Sequence, residues 1–527
     1  MKCFNTTGPC VPGMHYMVNI EKDLPSGKSK LSQTMAMIDK GQYFTINRGR
    51  QYGKTTMLNM LRLAMTGKKV VINFSFEGRE AFFVSQEILA EGLRRLIFAE
   101  LKRNQPELAN IFENTISGPF ALEDLADNIS TLCATSKQDV VLLIDEVDKA
   151  SSYDVFASFL GKLRDMYLER SVTDTPTFKS IILAGVHDIK NLKRKIRPES
   201  EHVYNSPWNI AMQFDVDMSF SAPEIATMLE EYEADHHSGM DIKAISEELR
   251  EWTGGYPFLV SRLCQLIDEK LDQDWTMAGI EKAVKLLISE QNTLFDDMVK
   301  NMEMYPDIYH FTYALLILGE EKRESLLDPI IQRGLMFSFY RIADGKVLIA
   351  NQIFAKVLTD YFLSKDDTTE KNNVNITGVF KNDVVRNGRF DMELAIRKFS
   401  EHYNEIFTQK DIGFWEKYAR LVFLTYLKPL INGEGFYHLE SQFTDLRRMD
   451  IVVDYGKNQF IIELKLWHGE AYEEEAYKQL TDYLHSRTGG KSSAPTGWLV
   501  CFDLRKDKKP RTGWIEKHGC KIFETVL

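Results

Sequence analysis

The sequence predicts an α/β chain of several domains. Three observations predict it: residues 42–220 alternate short β-rich apolar runs with longer helical patterns, residues 222–290 keep helical periodicity without strands, and strands return beyond a polar stretch at 365–376. At 527 residues the chain is too long for one ordinary core, and about two to four domains of roughly 100–200 residues are expected. With 44% hydrophobic and 27% charged residues, its composition is that of a folded protein.

The first segment carries four strand-like runs, QYFTIN (42–47), KVVINFSF (69–76), DVVLLID (139–145) and FKSIILAGV (178–186). Their near-continuous apolar character suits a parallel sheet covered on both faces. Helical stretches fall between them, around 54–66, 80–103 and 152–169. Residues 1–220 are therefore expected to form a parallel-sheet core and 221–290 a helical lid, with Thr253-Gly254-Gly255-Tyr256-Pro257 as a tight helix-helix junction. Residues 291–364 read as helices beside the hairpin-like RGLMFSFYRI, Asp344-Gly345 and KVLIANQIF, a winged-helix-like unit. The polar run 365–376 is the linker. The last unit, 377–527, has helices at 390–408 and 413–430, a strand pair at 447–466, a helix at 470–486 and the strand GWLVCFD at 497–503.

Several function classes are excluded at this level. No apolar run approaches the roughly 18 residues of a membrane span, and MKCFNTTGPC lacks a basic region followed by an apolar one, so a cytoplasmic address without membrane partners is expected. Cys3, Cys10, Cys133, Cys264, Cys501 and Cys520 show no CxxC spacing, which fits reduced thiols rather than a disulfide framework or a zinc site. A net charge of -11 argues against a basic nucleic-acid coat but leaves room for the local patch Arg505, Lys506, Lys508, Lys509 and Arg511.

Two constellations carry chemistry. After QYFTIN comes Arg48-Gly49-Arg50-Gln51-Tyr52-Gly53-Lys54-Thr55-Thr56, then the helical MLNMLRLAM. A strand, a loop and GKT opening a helix is what a phosphate cradle requires: backbone N–H groups hold the polyphosphate of ATP, Lys54 reaches its outer oxygens, and Thr55 ligates Mg²⁺. The loop departs from GxxxxGK[ST], since arginine stands at 48 and glycine one place late. About ninety residues on, the run Val140–Ile144 ends in Asp145 and Glu146. Asp145 would complete the Mg²⁺ shell and Glu146 would orient or deprotonate the attacking water; the bland alternative is two solvated acids. His187 and Asp188, at the end of the next strand, are candidate nucleotide sensors or plain surface residues. Arg48 and Arg50 would neutralise phosphate charge or remain solvated.

The second constellation is the stretch Arg447–Lys465, which reads as a β-hairpin turning at Gly456-Lys457. A symmetric register places Asp450 opposite Glu463, with Cβ atoms roughly 4.5–5.5 Å apart, so the two carboxylates could share Mg²⁺. Glu463 and Lys465 then project from one face, where metal and lysine serve phosphodiester hydrolysis; the alternative is a solvated face with a salt bridge. Gln479 and Tyr483 share a helix face four residues apart, and Glu416 or Glu440 could supply a third acid.

With both sets of residues in place, the chain resembles the bacterial proteins that join an AAA-ATPase-like domain to a RecB-like domain of the PD-(D/E)XK nuclease superfamily. The resemblance covers nearly the whole chain. It is carried by RGRQYGKTTML, LLIDEVDK, AGVHDIKNL and Ser206-Pro207-Trp208-Asn209-Ile210-Ala211, and in the second part by Asp450, Glu463, Lys465, Gln479 and Tyr483. It implies that a P-loop without its first glycine is tolerated, that Asp450 and Glu463 bind metal, that Lys465 is catalytic and that Gln479 and Tyr483 form a QxxxY element. Glu416 matches more loosely.

The expected protein is thus a P-loop NTPase core with helical lid and winged-helix-like unit, followed by an α/β PD-(D/E)XK nuclease-like domain. ATP and Mg²⁺ are the expected cofactors and DNA the expected nucleic-acid partner, with a homo-oligomer left open. The rival reading is a nucleotide-gated switch or scaffold that binds nucleic acid or protein without cutting. An ATP-driven DNA motor is a third.

Overall fold

The computed structural model describes all residues except 1, 26, 114–119, 187–207, 319, 326, 368–382, 387, 407–411, 432–434, 439–450, 457, 468–469, 489–495, 504 and 506–509. It divides into two compact units, Met1–Leu287 with Met336–Ser338, and Ile288–Leu335 with Phe339–Leu527.

In the first unit the four apolar runs form strands β1 (Phe44–Asn47), β2 (Val70–Ser75), β3 (Val140–Asp145) and β4 (Ser180–Gly185). They pair in the order β1-β4-β3-β2, all parallel, so β4 lies between the strand that leads into the phosphate loop and the strand that ends in the acids. Both β3 and β4 are buried along their whole length, as expected of strands covered on both faces. Helix α1 (Lys54–Met65) follows β1, α2 (Gln86–Asn104) follows β2, and α3 (Asp154–Val172) follows β3. One continuous apolar cluster, including Ile72, Leu93, Leu142, Phe156, Leu160 and Leu183, fills the space between sheet and helices. The outer edge of β1 is covered rather than open, because Met212 N donates to Tyr43 O at 2.8 Å and Phe214 stacks on Phe44 with centroids 5.5 Å apart.

The helical segment follows as α4 (Ala222–His236), α5 (Ile242–Thr253) and α6 (Pro257–Lys270). Ser221 and Glu224 cap α4 reciprocally, with a proline in its first turn. At the α5–α6 junction Gly254 and Gly255 have φ 59° and 71°. Glycine is required at 255, since a Cβ there would sit 2.0 Å from Phe220 O.

In the second unit the predicted wing is a hairpin, β5 (Tyr340–Ala343) and β6 (Lys346–Ile349), antiparallel. Its turn residues Asp344 and Gly345 have φ 50° and 73°, the positive values a two-residue I′ turn needs. Helix α7 (Gln352–Asp367) runs on into the first residues of the expected linker. Helices α8 (Met392–Ile406) and α9 (Ile412–Ile431) come next, and then a six-stranded mixed sheet. Its strands are β7 (Gly435–His438), β8 (Ile451–Tyr455), β9 (Asn458–Leu466), β10 (Thr496–Phe502), β11 (Arg511–Lys517) and β12 (Cys520–Val526), in the order β7-β8-β9-β10-β12-β11. The β7-β8-β9 meander is antiparallel, and α10 (Glu470–Thr488) crosses over to make β10 parallel to β9. Strands β7, β11 and β12 lie outside the elements read from the sequence.

A partly buried polar knot ties α7 to α9 and β7. Asp360 accepts from Lys356 Nζ and Lys428 Nζ, each at 3.1 Å, and from the Tyr437 hydroxyl at 3.0 Å, while the Lys356 ammonium lies 3.4 Å from the Tyr437 ring centroid. Burial, opposed by Asp360, pushes the Lys356 ammonium down to about 8. The unfolded chain therefore holds a proton above pH 8 that the folded one has released, so this lysine's contribution to stability rises as pH climbs from about 8 toward its ordinary value near 10.4. Urea unfolding at pH 7.5 and 9.5 is expected to show the parent gaining roughly 1–2 kcal/mol relative to Lys356→Met across that interval. A constant difference would contradict it.

Candidate functional site

β1 stops at Asn47, and Arg48–Gly53 turns the chain into α1. Gln51 and Gly53 take up the left-handed conformation, φ 54° and 77°, and Gly53 is the N-cap of α1. No acidic residue of the helix itself stands in its first turn, and the positive end of its dipole faces the loop. The Lys54 ammonium is buried and curls into the loop, donating to Arg48 O at 3.0 Å and Gly49 O at 2.8 Å. Thr55 Oγ1 donates to Asp145 Oδ2 at 2.6 Å, which joins the start of α1 to the end of β3. A hydroxyl and a carboxylate at this spacing are hard oxygen donors and fit a magnesium ion. Thr56 faces elsewhere, its hydroxyl accepting from Cys10 N at 3.1 Å.

Asp145 ends β3, and Glu146 and Asp148 follow it. Asp145 Oδ1 accepts the Glu146 N–H at 2.9 Å, and Glu146 has φ 51°, a strained value for a residue with a side chain. Burial, with Asp145 adding to it, raises the Glu146 carboxyl above its ordinary range, the direction that suits a general base. Burial likewise lowers the Lys54 ammonium, and Asp148, Glu146 and Asp145 oppose that effect in decreasing order. Asp148 is the residue that sequence reasoning missed. Its Oδ2 accepts Val186 N at 2.6 Å, at the end of β4. The signal was present as an acid three residues beyond Asp145 in the LIDEVDK run. His187 and Asp188 lie outside the described residues.

In the second unit the hairpin register agrees with the sequence reading: Tyr455 pairs with Asn458 and Ile451 with Ile462, around a turn that includes Gly456 at φ 60°. Asp450 and Glu440 lie outside the described residues, as does the side chain of Glu416, whose backbone belongs to α9. Glu463 and Lys465 are brought together, Lys465 Nζ lying 2.8 Å from Glu463 Oε1. The pair is not a solvated one, because the Glu463 side chain is only 2% exposed and that of Lys465 33%. Of the acids proposed for that constellation, Glu463 is the one whose side chain is described, and among the described residues no three His, Cys, Asp or Glu side chains are placed to hold a metal.

Gln479 is half-buried and 3.5 Å from Glu475 Oε1, while Tyr483 packs in the apolar cluster with Val452, Ile461 and Leu499. Level with Glu463 across the sheet, through Leu499, stands Glu524. This buried acid takes the Arg511 Nε–H at 2.8 Å and the Tyr477 hydroxyl, and it too went unread. The two described members of the basic patch are ion-paired, Arg511 to Glu524 and Arg505 to Asp503 at 2.7 Å.

Residues 25–285, inside the first unit, match the family described as AAA-like domain. The first unit carries an AAA-like domain. A WD repeat-containing protein of Synechocystis, itself described as uncharacterized, is 24% identical over 218 residues, 40% of this chain and 17% of that protein, so the chain spans less than a fifth of the relative it matches. Among solved structures, the Walker-type ATPase of Pyrococcus abyssi is similar at 14% identity with a TM-score of 0.41, over 62% of this chain and 93% of that one. The Aeropyrum pernix ORC1 protein in complex with DNA is similar at 13% and 0.29, over 64% and 93%. A mutant RuvB of Thermotoga maritima is similar at 12% and 0.31, over 61% and 89%.

The first unit shapes this glycine-poor loop from outside it. Arg48 spends its guanidinium on backbone, donating to Asn47 O at 2.9 Å and Val216 O at 3.3 Å. The Tyr256 hydroxyl, delivered by the Gly254-Gly255 junction, donates to Arg50 O, and its ring meets Tyr52 edge-on at 4.6 Å. Gly49 N donates to Ser338 Oγ at 3.3 Å. A Cβ at position 49 would lie 2.8 Å from Phe337 O, a backbone atom that cannot swing away. Gly49→Ala is therefore expected to cost about 1–3 kcal/mol through overpacking and to weaken nucleotide binding through the displaced loop. Thermal unfolding with and without ATP reads both effects, and an unchanged midpoint in both conditions would contradict the account.

Proposed function

We propose that this chain binds and hydrolyses ATP in its AAA-like domain, and that its second unit is a metal-dependent nuclease-like domain acting on nucleic acid, DNA being the expected substrate. The observation that carries the first half is the Lys54, Thr55 and Asp145 arrangement, in which a buried ammonium and two hard oxygen donors meet at the N-terminus of α1. In this reading Lys54 would exchange Arg48 O and Gly49 O for the outer phosphate oxygens, and Thr55 and Asp145 would hold Mg²⁺, which when bound would supply positive charge to the phosphates. Glu146, its carboxyl raised by burial, takes the proton of the attacking water.

The second half is supported by Glu463 and Lys465 sharing a face beside a hairpin whose described register runs to the Ile451–Ile462 pair. Glu463, with Asp450, would hold the metal, and Lys465 would position the nucleophile. The rival reading, a nucleotide-gated switch that binds nucleic acid or protein without cutting, is favoured by one observation: Glu463 and Lys465 bond to each other, as a structural pair would. The deciding experiment measures phosphate release and DNA cutting in Mg²⁺ or Mn²⁺, with and without ATP, on the parent and Lys54→Ala. Phosphate release and cutting by the parent support the proposal. Release without cutting favours the switch, and neither activity refutes both halves.

A further inference from the structure

In the order β1-β4-β3, the end of β4 separates the phosphate loop from the turn that carries the acids. A single peptide group bridges them. Its carbonyl, Gly185 O, accepts the Arg48 N–H of the phosphate loop at 3.2 Å, and its N–H, Val186 N, donates to Asp148 Oδ2 at 2.6 Å. The space around this peptide is full. A Cβ on Gly185 would lie 2.8 Å from Val147 Cγ2 and 2.9 Å from Asp148 Oδ1, so the absence of a side chain is what lets the acid turn close onto β4.

We propose that Asp148 is a positioning residue for ATP turnover, acting through the Gly185–Val186 peptide to fix the acid turn, and Glu146 on it, relative to the phosphate loop. This rests on the ATPase reading of the same site. The physical reason is rigidity. Glu146 occupies a left-handed conformation that its neighbours must enforce, and the turn Val147–Lys149 begins directly after it. Asp145 Oδ1 holds the near end of that turn through Glu146 N, and Asp148 Oδ2 holds the far end through Val186 N. With Arg48 bonded to the same peptide, the loop that receives the phosphates and the turn that presents the base share one reference point.

The function assigned to Asp148 is that of a hydrogen-bond acceptor at a fixed distance, which separates it from a purely electrostatic role. Asp148 also acts on Lys54 more strongly than the other two acids do, so the rival is that its charge tunes the lysine. Asparagine keeps an acceptor oxygen at the same place without the charge, whereas glutamate keeps the charge and moves the oxygen by one methylene. Asp148→Asn is expected to retain kcat within about threefold of the parent, and Asp148→Glu to lose about 10–100-fold in kcat, both with Kd for a non-hydrolysable ATP analogue within about threefold of the parent. Thermal unfolding reports whether each variant folds. The role is overturned if Asp148→Glu turns over like the parent, if Asp148→Asn falls as far as Asp148→Glu, or if the loss lies in Kd rather than kcat. A parent that binds the analogue yet releases no phosphate overturns the ATPase reading itself, and this role with it.

Discussion

Lys54→Ala is expected to weaken nucleotide binding by about 30-fold or more while leaving the fold intact without ligand. The ammonium is buried and its proton affinity is lowered by burial, so it is held at a cost that two carbonyls and three acids only partly offset. Removing it relieves that cost, and the melting temperature without ligand should stay level or rise. With nucleotide present the balance reverses, because the polyphosphate would lose its one buried cationic contact from α1. Truncating one partner of a desolvated, hydrogen-bonded charge pair costs about 2–5 kcal/mol, which at about 1.4 kcal/mol per decade is roughly 30- to 3,000-fold in Kd. Phosphate release should fall at least as far. A variant that melts several degrees lower without ligand, yet binds ATP like the parent, would mean that Lys54 is a structural lysine.

The second large effect is expected at Glu463 and Lys465. If they belong to a nuclease centre, Glu463→Gln removes the described oxygen donor's charge and should lower cutting by about 100-fold or more. The burial of Glu463 changes what the lysine variant can report. Lys465→Ala deprives a carboxylate that is 2% exposed of the ammonium 2.8 Å away, and breaking a buried pair on one side costs about 3–5 kcal/mol. Loss of cutting by Lys465→Ala alone would therefore mix chemistry with stability. Glu463→Gln combined with Lys465→Gln removes both charges together and is expected to keep the fold while eliminating cutting. Should the double variant cut DNA like the parent, these residues form only a structural pair.

Much of this was legible in local sequence. Near-continuous apolar runs located the four strands of the first sheet, as expected of strands covered on both faces. The hairpin register was legible from its turn, since a one-residue slip would reverse which side chains of the strand are buried. The proposed phosphate loop was legible because its residues are contiguous from Gly49 to Thr55. What was not legible depends on partners far apart in the chain. Ser338 and Phe337 touch Gly49 from 289 and 288 residues away, and Tyr256 reaches Arg50 from 206 away. No local period marks such contacts. The arginine at 48, a defect in the motif, becomes intelligible once Tyr256, Ser338 and Val216 are seen holding the loop from outside. Strands β11 and β12 were missed because charge interrupts them: Arg511 on β11 and Glu524 on β12 bond to one another inside the sheet.

Lys54, Thr55 and Asp145 are proposed to form one site for a nucleotide and its metal. Calorimetric titration of ATP into the parent, first with Mg²⁺ and then with the metal chelated, tests that most directly. One binding event that weakens by about tenfold or more on chelation, and disappears in Lys54→Ala, is the predicted result. Heat that is the same for parent and Lys54→Ala, or no heat at all, would contradict it.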